Sequence, residues 1–523
     1  MVSERRGGPR LHNHMEPSQS CCSQGAQPLG LTWLQCLLVV CGFSKIDNRT
    51  VRREGGGLLL RYRETVGLSG DSAIVYDYTS SIGHDNEIYT YVVYILIAHT
   101  LHLYRRGIIP RRAACLTLRV LLEALEKKPG ELLGPGYEDV FEALEDWLAQ
   151  KTGGESAYIW IGRSRNDHVS AALRLYTINK IIDTLYWLLQ ARLRLIELAE
   201  KHRGAPVLFH THQQPSQLAT LDCLLLAWEE ALASAYKLLY SVIGLVDRSP
   251  LGASAGAGTL APIDPEELAR LTGFSGVLGN SLYATGSRLD VTAAALAATA
   301  LLVEASRIAE NLVLLSTPYV SAVRIPESHV ATSSIMPHKR NPVTLEVLRA
   351  RAARAAGLAA GLLAIQKGLP YGYNLDLQEA NPLLYTILRD AAESSRILAD
   401  LFSSMEFDLE RLSKLAESYI AWGAELAELL ALRTGMPLRE AYREVAMKLR
   451  DGKISELFQK LGVTSPSELT SMRHTGCRAD LDMAKPRERV EHDMKLLHSI
   501  RTSFVNTWEN LVKTAREVLD ECK

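Results

Sequence analysis

Apolar positions recur at helical spacing along most of this chain. The spacing predicts helices over residues 87–106, 111–127, 138–151, 169–202, 213–246, 288–317 and 343–366. Gly107 with Pro110, and Pro129 with Gly134 to Gly136, stop the early ones. Several later runs are far longer than an ordinary globular helix; 30 residues span about 45 Å. Their apolar faces are wide and rich in Ala and Leu, more surface than a lone helix buries. The pattern predicts an all-α chain with a central bundle of long helices, completed by other subunits into a multi-subunit helical core. Past residue 418 the helices shorten, with stops at Gly435-Met-Pro437 and around Gly462 to Pro466. This gives four expected segments: 1–45 as a disordered or non-native extension, 46–165 as an N-terminal helical domain, 166–415 as the bundle, and 416–523 as a small helical domain.

Composition narrows the picture. The 523 residues are 47% hydrophobic but only 7% aromatic, which favours helix over a β-sandwich. The net charge of −1 gives no basic field, so neither nucleic acid nor an anionic membrane is an expected partner. Residues 1–28 are basic and polar. The apolar run 29–43 is shorter than the roughly 20 residues a membrane span needs. It imitates a signal peptide, but its composition fits a disordered extension better. Asn48-Arg-Thr50 is a glycosylation sequon without meaning in a cytosolic chain. Eight cysteines with no CxxC pair suggest neither structural zinc nor a redox pair, and fit a reducing cytoplasm, although a hyperthermophile's protein could still pair some.

Chemistry concentrates in the connections, where rigid helices position polar groups. Residues 331–342, Ala-Thr-Ser-Ser-Ile-Met-Pro-His-Lys-Arg-Asn-Pro, cannot be helix throughout, because Pro337 and Pro342 fix φ and donate no hydrogen bond. Residues 162–168 and 210–217 also sit at ends of long helical runs. Residues 78–85, with Ser80, Ser81 and Asp85, read equally well as a helix cap. The loop 249–265 carries Gly252, Gly256 and Gly258 but lacks the ending of a phosphate-binding loop. His202, His210 and His212 lack a completing carboxylate or thiolate, so no metal site is expected.

Together these loops offer anion binding and proton transfer. Arg163, Arg165 and Lys339 suit carboxylates, the arginines bidentately. Asn166 and Asn341 orient by hydrogen bonds, and His212 suits proton transfer near neutral pH. A serine acts as a base only where cations and backbone amides stabilise its alkoxide. Ser333 could meet that demand, and so could Ser334; the residues alone do not rank them.

Ser333-Ser-Ile-Met-Pro-His-Lys-Arg-Asn341 resembles the signature loop of the fumarase/aspartase superfamily, Ser-Ser-x-Met-Pro-x-Lys-x-Asn. The superfamily's other two blocks follow in order at 162–168 and 211–217. Gly162-Arg-Ser-Arg-Asn-Asp167, Tyr78 to Asp85, Thr211-His212 with Gln214 and Gln217, and Tyr373-Asn-Leu-Asp-Leu-Gln-Glu379 are similar to the argininosuccinate lyase family within it. The resemblance implies an all-α protomer of three domains, a homotetramer, and active sites shared by three subunits. It implies reversible elimination of fumarate from argininosuccinate to give arginine, without cofactor. Ser333 would be the base; Lys339 and Asn341 would stabilise a doubly negative aci-carboxylate. His212, with Glu346 as charge partner, would help protonate the leaving nitrogen. Ser81, Arg165, Asn166, Thr211, Tyr373 and Gln378 would hold the substrate.

The chain departs from the family at several positions. Thr332 stands where glycine usually precedes the two serines, and Ile159-Trp-Ile161 replaces the more usual Leu-His-Thr. Asn381 sits at a common lysine position, and Tyr283 replaces an aspartate. Two alternatives share the scaffold: a lyase acting on aspartate or adenylosuccinate, and a non-catalytic, crystallin-like structural protein.

Overall fold

In the computed structural model the described residues are 73–134, 136–478 and 481–522, all within the unit Gly57–Lys523. The expectations for residues 1–45 and the sequon at Asn48 lie outside them. After a short helix, α1 (Ala73–Thr79), come α2 (Tyr89–Arg105), α3 (Arg111–Glu126) and α4 (Val140–Thr152). The bundle then consists of α5 (Arg165–Lys201), α6 (Leu221–Ser241), α7 (Leu289–Ser316), α8 (Val343–Gln366) and α9 (Asn381–Ser404). The 37 residues of α5 make it the spine: α9 and α6 pack along it, while α7 packs against α8, α6 and α9. One continuous apolar core runs through α2 to α9, with Leu96, Leu175, Ile182, Leu302 and Leu388 all inaccessible to solvent or nearly so.

Prolines and caps set the limits of these helices. Pro110 precedes α3, and Pro382 sits in the first turn of α9, where its missing N–H costs nothing. The Asp139 side chain accepts from the Glu142 amide and starts α4; Gly153, at φ 63°, ends it. Among the described residues one helix, Leu289–Ser316, is long and apolar enough to cross a membrane, and 61% of its apolar window is buried in the protein, as a core helix would be.

The structure corrects the helix expected over 213–246. Its first part is instead β2 (Gln214–Thr220), paired antiparallel with β1 (Pro206–Thr211), and α6 begins only at Leu221. Both central residues of the hairpin turn, His212 and Gln213, have positive φ, 53° and 59°. Such a turn matches the twist of paired strands, which is what lets a two-residue loop close here. Leu208 and Leu218 on the hairpin pack into a second apolar cluster with Leu426, Leu430, Val445 and Leu457. The last helix, α10 (Ala484–Glu521), leaves that cluster and returns to pack on α2, α3 and α5.

The four cysteines among the described residues form two pairs, an outcome that the sequence left open. Cys115–Cys522 ties α3 to the chain's end, and Cys223–Cys477 ties α6 to the segment before α10. The partners are 407 and 254 residues apart, so no local spacing announces them.

Candidate active site

The stretch Ser164-Arg-Asn-Asp167 divides its residues between structure and site. Ser164 and Asp167 form a reciprocal cap on α5: the Ser164 hydroxyl accepts from the Asn166 amide (3.2 Å), and Asp167 accepts from the Ser164 amide (3.0 Å). The other Asp167 oxygen takes the amides of Gly252 (3.2 Å) and Ser254 (2.9 Å), so the glycine-bearing loop is tethered to the start of α5 rather than left open for phosphate. Burial pushes the Asp167 carboxyl up to about 7, against these amide bonds. Arg163 points inward and pairs with Glu145 (3.0 Å) beneath Trp160; its side chain has no exposure, so it does not meet a substrate carboxylate. Arg165 and Asn166 face a cavity of about 90 Å3.

That cavity gathers five of the six expected substrate contacts: Ser81, Arg165, Asn166, Tyr373 and Gln378. They arrive from three separate stretches. Ser80 fixes the first stretch by donating to the carbonyls of Tyr137 and Glu138 (2.8 and 2.9 Å). Ser81 donates to Asp85 (2.8 Å). Asp85 does not cap the helix that follows it; it accepts the Val140 amide (2.9 Å) at the start of α4. Burial raises its carboxyl to about 7, only partly offset by those two hydrogen bonds. Gln378 is held by donation to the Thr79 carbonyl (2.8 Å), and Tyr373 is half-buried, with burial lifting its pKa. Gly286 lies against the backbone of Gly372: a Cβ there would come within 2.6 Å of the Gly372 nitrogen. This contact brings the segment bearing Arg288 up to the one bearing Tyr373.

Four charged groups of the cavity are absent from the sequence reading of substrate contacts: Asp85, Glu138, Asp139 and Arg288. Arg165 donates to Glu138 (3.0 Å) and Asp139 (2.8 Å). Burial opposes its charge, yet Asp139 and Glu138 hold its pKa above the ordinary arginine range. Glu138-Asp139 opens the helical run expected over 138–151, which is the one signal that could have pointed to them. Arg288 carried none, since it begins α7 outside any motif.

The other expected residues lie elsewhere; none of Thr211, His212, Ser333, Lys339, Asn341 or Glu346 lines the cavity. Loop 331–341 is a closed projection. Ala331 and Asn341 exchange two backbone hydrogen bonds (2.9 and 2.8 Å) at its neck, and residues 337–340 are exposed. The Ser333 hydroxyl accepts from the Ile335 amide (3.3 Å). His329, just before the neck, sits 3.0 Å from both Thr344 and Asp400 and anchors the projection to α8 and α9. Glu346 lies exposed in the first turn of α8. His212 stands exposed at the tip of the β1–β2 hairpin, with Thr211 beside it. Among the described residues, the side chains of His212, Lys339 and Glu346 form no hydrogen bond or ion pair within the chain. No group of three or more His, Cys, Asp or Glu is arranged to hold a metal, again among the described residues.

Comparison with known proteins places this geometry in context. Residues 124–357 match the family described as Lyase. The chain is 40% identical over 409 residues to an argininosuccinate lyase of Pyrobaculum calidifontis, covering 78% of this chain and 94% of the relative. It is 35% identical over 437 residues to one from Pyrococcus furiosus, covering 82% and 95%. Among solved structures, a variant EDDS lyase with bound fumarate superposes with a TM-score of 0.74 at 23% identity, covering 86% of this chain and 95% of that one. A class II fumarase from Schistosoma mansoni gives 0.67 at 15% identity, covering 78% and 96%.

Proposed function

Given that this chain belongs to the argininosuccinate lyase family of the fumarase/aspartase superfamily, and is an enzyme, a fumarate-releasing lyase, we propose that its substrate is argininosuccinate and its second product arginine. The observation that carries this reading is the cavity. It joins two guanidiniums, three carboxylates, a phenol and amides, a mixture that suits a zwitterionic, guanidinium-bearing amine rather than a bare hydroxyl or ammonia.

In this reading the Ser333 alkoxide takes the proton from the succinyl carbon next to the carboxylate. The resulting aci-carboxylate carries two negative charges, which Lys339, Asn341 and backbone amides of the loop stabilise in a water-poor site. The carbon–nitrogen bond then breaks, its electrons moving to the guanidino nitrogen. His212, with Glu346 as its charge partner, delivers a proton there. Ser81, Arg165, Asn166, Thr211, Tyr373 and Gln378 hold the substrate. The chain's own residues perform every step.

One protomer leaves His212 and Lys339 exposed and unpartnered, which supports a homotetramer in which different subunits supply the cavity, hairpin and projecting loop. Leu289, Leu296 and Val303 recur at seven-residue spacing on α7 and stay 63%, 40% and 42% exposed, an apolar stripe suited to a second helix. We assign the reaction to arginine biosynthesis in the cytoplasm, where disulfides persist in hyperthermophile proteins. Purified protein given argininosuccinate should release fumarate, followed by its ultraviolet absorbance. Release only from aspartate or adenylosuccinate would overturn the substrate assignment.

A further inference from the structure

Two cations line the cavity, and they are not equivalent. Arg165 is neutralised by Glu138 and Asp139. Arg288 has no carboxylate within ion-pair distance among the described residues. Its Nη1 donates only to the backbone carbonyls of Thr285 (3.1 Å) and Ser287 (2.9 Å), and its Nε is buried without a partner. The nearest acid in sequence, Asp290, is taken by Arg174 at 2.6 Å. Arg288 is 4% exposed, and a guanidinium does not shed its proton; Asp290, in contact with Arg174, offsets its charge only from beyond ion-pair distance. A buried unpaired charge is costly, and a structure keeps one where a ligand supplies the counter-ion.

The surroundings say which ligand. The same cavity is lined by Asp85, Glu138 and Asp139, whose carboxyl groups suit the ammonium or guanidinium of an amine. Tyr373 and the uncharged Asn381 lie on the same lining as Arg288. The Gly286–Gly372 contact fixes Arg288 and Tyr373 on adjoining segments. A carboxylate placed here would accept from the guanidinium and from the phenol of Tyr373. Asn381, without charge, leaves Arg288 as the cation for that role.

We propose that Arg288 binds the α-carboxylate of the amine half of the substrate and so restricts the enzyme to amines that carry a carboxylate. This rests on the argininosuccinate reading and deepens it: the succinyl carboxylates go to the projecting loop, and the third carboxylate to Arg288.

The test compares arginine, argininamide and agmatine as inhibitors of argininosuccinate cleavage by the assembled enzyme. The last two keep the guanidinium and lack the carboxylate charge. Wild-type enzyme should bind arginine more tightly than either by roughly 10- to 100-fold, the worth of one charged hydrogen-bonded contact. Equal inhibition by all three would overturn the proposal without any variant. Arg288→Gln should collapse the preference toward one, mainly by weakening arginine, while agmatine binding holds; equal weakening of all three ligands would assign Arg288 a merely structural role. Asn381→Lys in the Arg288→Gln background should restore part of the preference. Should Arg288→Gln fail to fold, Asn381→Lys in the intact chain decides: a second cation at this lining should sharpen the preference, and an unchanged ratio would refute the placement. Failure of the wild type to cleave argininosuccinate at all would instead sink the parent reading, before Arg288 is touched.

Discussion

The cavity and the projecting loop are built in opposite ways. Around the cavity, nearly every polar group is already held: Ser81 by Asp85, Arg165 by Glu138 and Asp139, Gln378 by the Thr79 carbonyl. On the loop and the hairpin the corresponding groups face outward, fixed only at the base, by the Ala331–Asn341 pairing on one and the strand register on the other. The first region is preorganised by its own chain, which lowers the cost of ordering on binding. The second has a rigid neck and an unengaged end, the construction of a lid that finds its contacts elsewhere. In the proposed function binding and chemistry are therefore separable, and three experiments press on that division.

The largest effect is expected at the loop. Ser333→Ala should lower turnover by roughly 10^3-fold, within the range for removing a proton-transfer group, while arginine still binds the cavity. Calorimetric titration alongside the fumarate assay checks both halves. Lost arginine binding would break the division; undiminished turnover would remove Ser333 from its role.

A second blow falls between protomers. Leu296→Arg combined with Val303→Arg puts charge on the exposed stripe of α7 and should dissociate the assembly, seen by light scattering. Turnover should fall with the assembled fraction, because in the proposed homotetramer the cavity then loses the hairpin and loop of its neighbours. A fully active monomer would show that one chain completes its own site.

The smallest effect is a pH dependence confined to the cavity side. In the folded chain Asp85 titrates near about 7, against 3.8 for a free side chain. The folded state thus holds the proton longer than the unfolded one. Its contribution to stability is intact below about pH 4, declines as pH rises toward 7, and is lost above that, at no more than about 1.4 kcal/mol per pH unit. Thermal unfolding of wild type and Asp85→Asn between pH 4 and 8 should show the wild type falling relative to the variant across that window. Parallel curves would mean that Asp85 is ionised throughout.

How far the residues announced this arrangement varied with the range of the interaction involved. Helix α8 was legible to the residue, since Pro342 fixes its start and the apolar period runs to Gln366. The hairpin was not. Its turn carries His212-Gln213 in place of the Asn-Gly or Asp-Gly that usually signals positive φ, and its strands lie next to a strong helical run that masked them. Ser164 to Asp167 was legible as a block, but nothing local said that its outer members cap the helix while the inner pair faces the cavity. Asp85 reads as a cap on its own helix and instead serves Val140, 55 residues on.

By itself the sequence determined the helical class, the long bundle segments and the motif blocks of the family, because periodicity and short blocks are local properties of a chain. Only the tertiary structure decided which of those residues share a cavity, which of them stand apart, that Arg163 is committed to Glu145 while Arg288 is not committed to any acid, and which cysteines meet. Those outcomes depend on packing between segments up to hundreds of residues apart. Burial and the pairing of charge are set there, by distances in space that spacing along the chain does not encode.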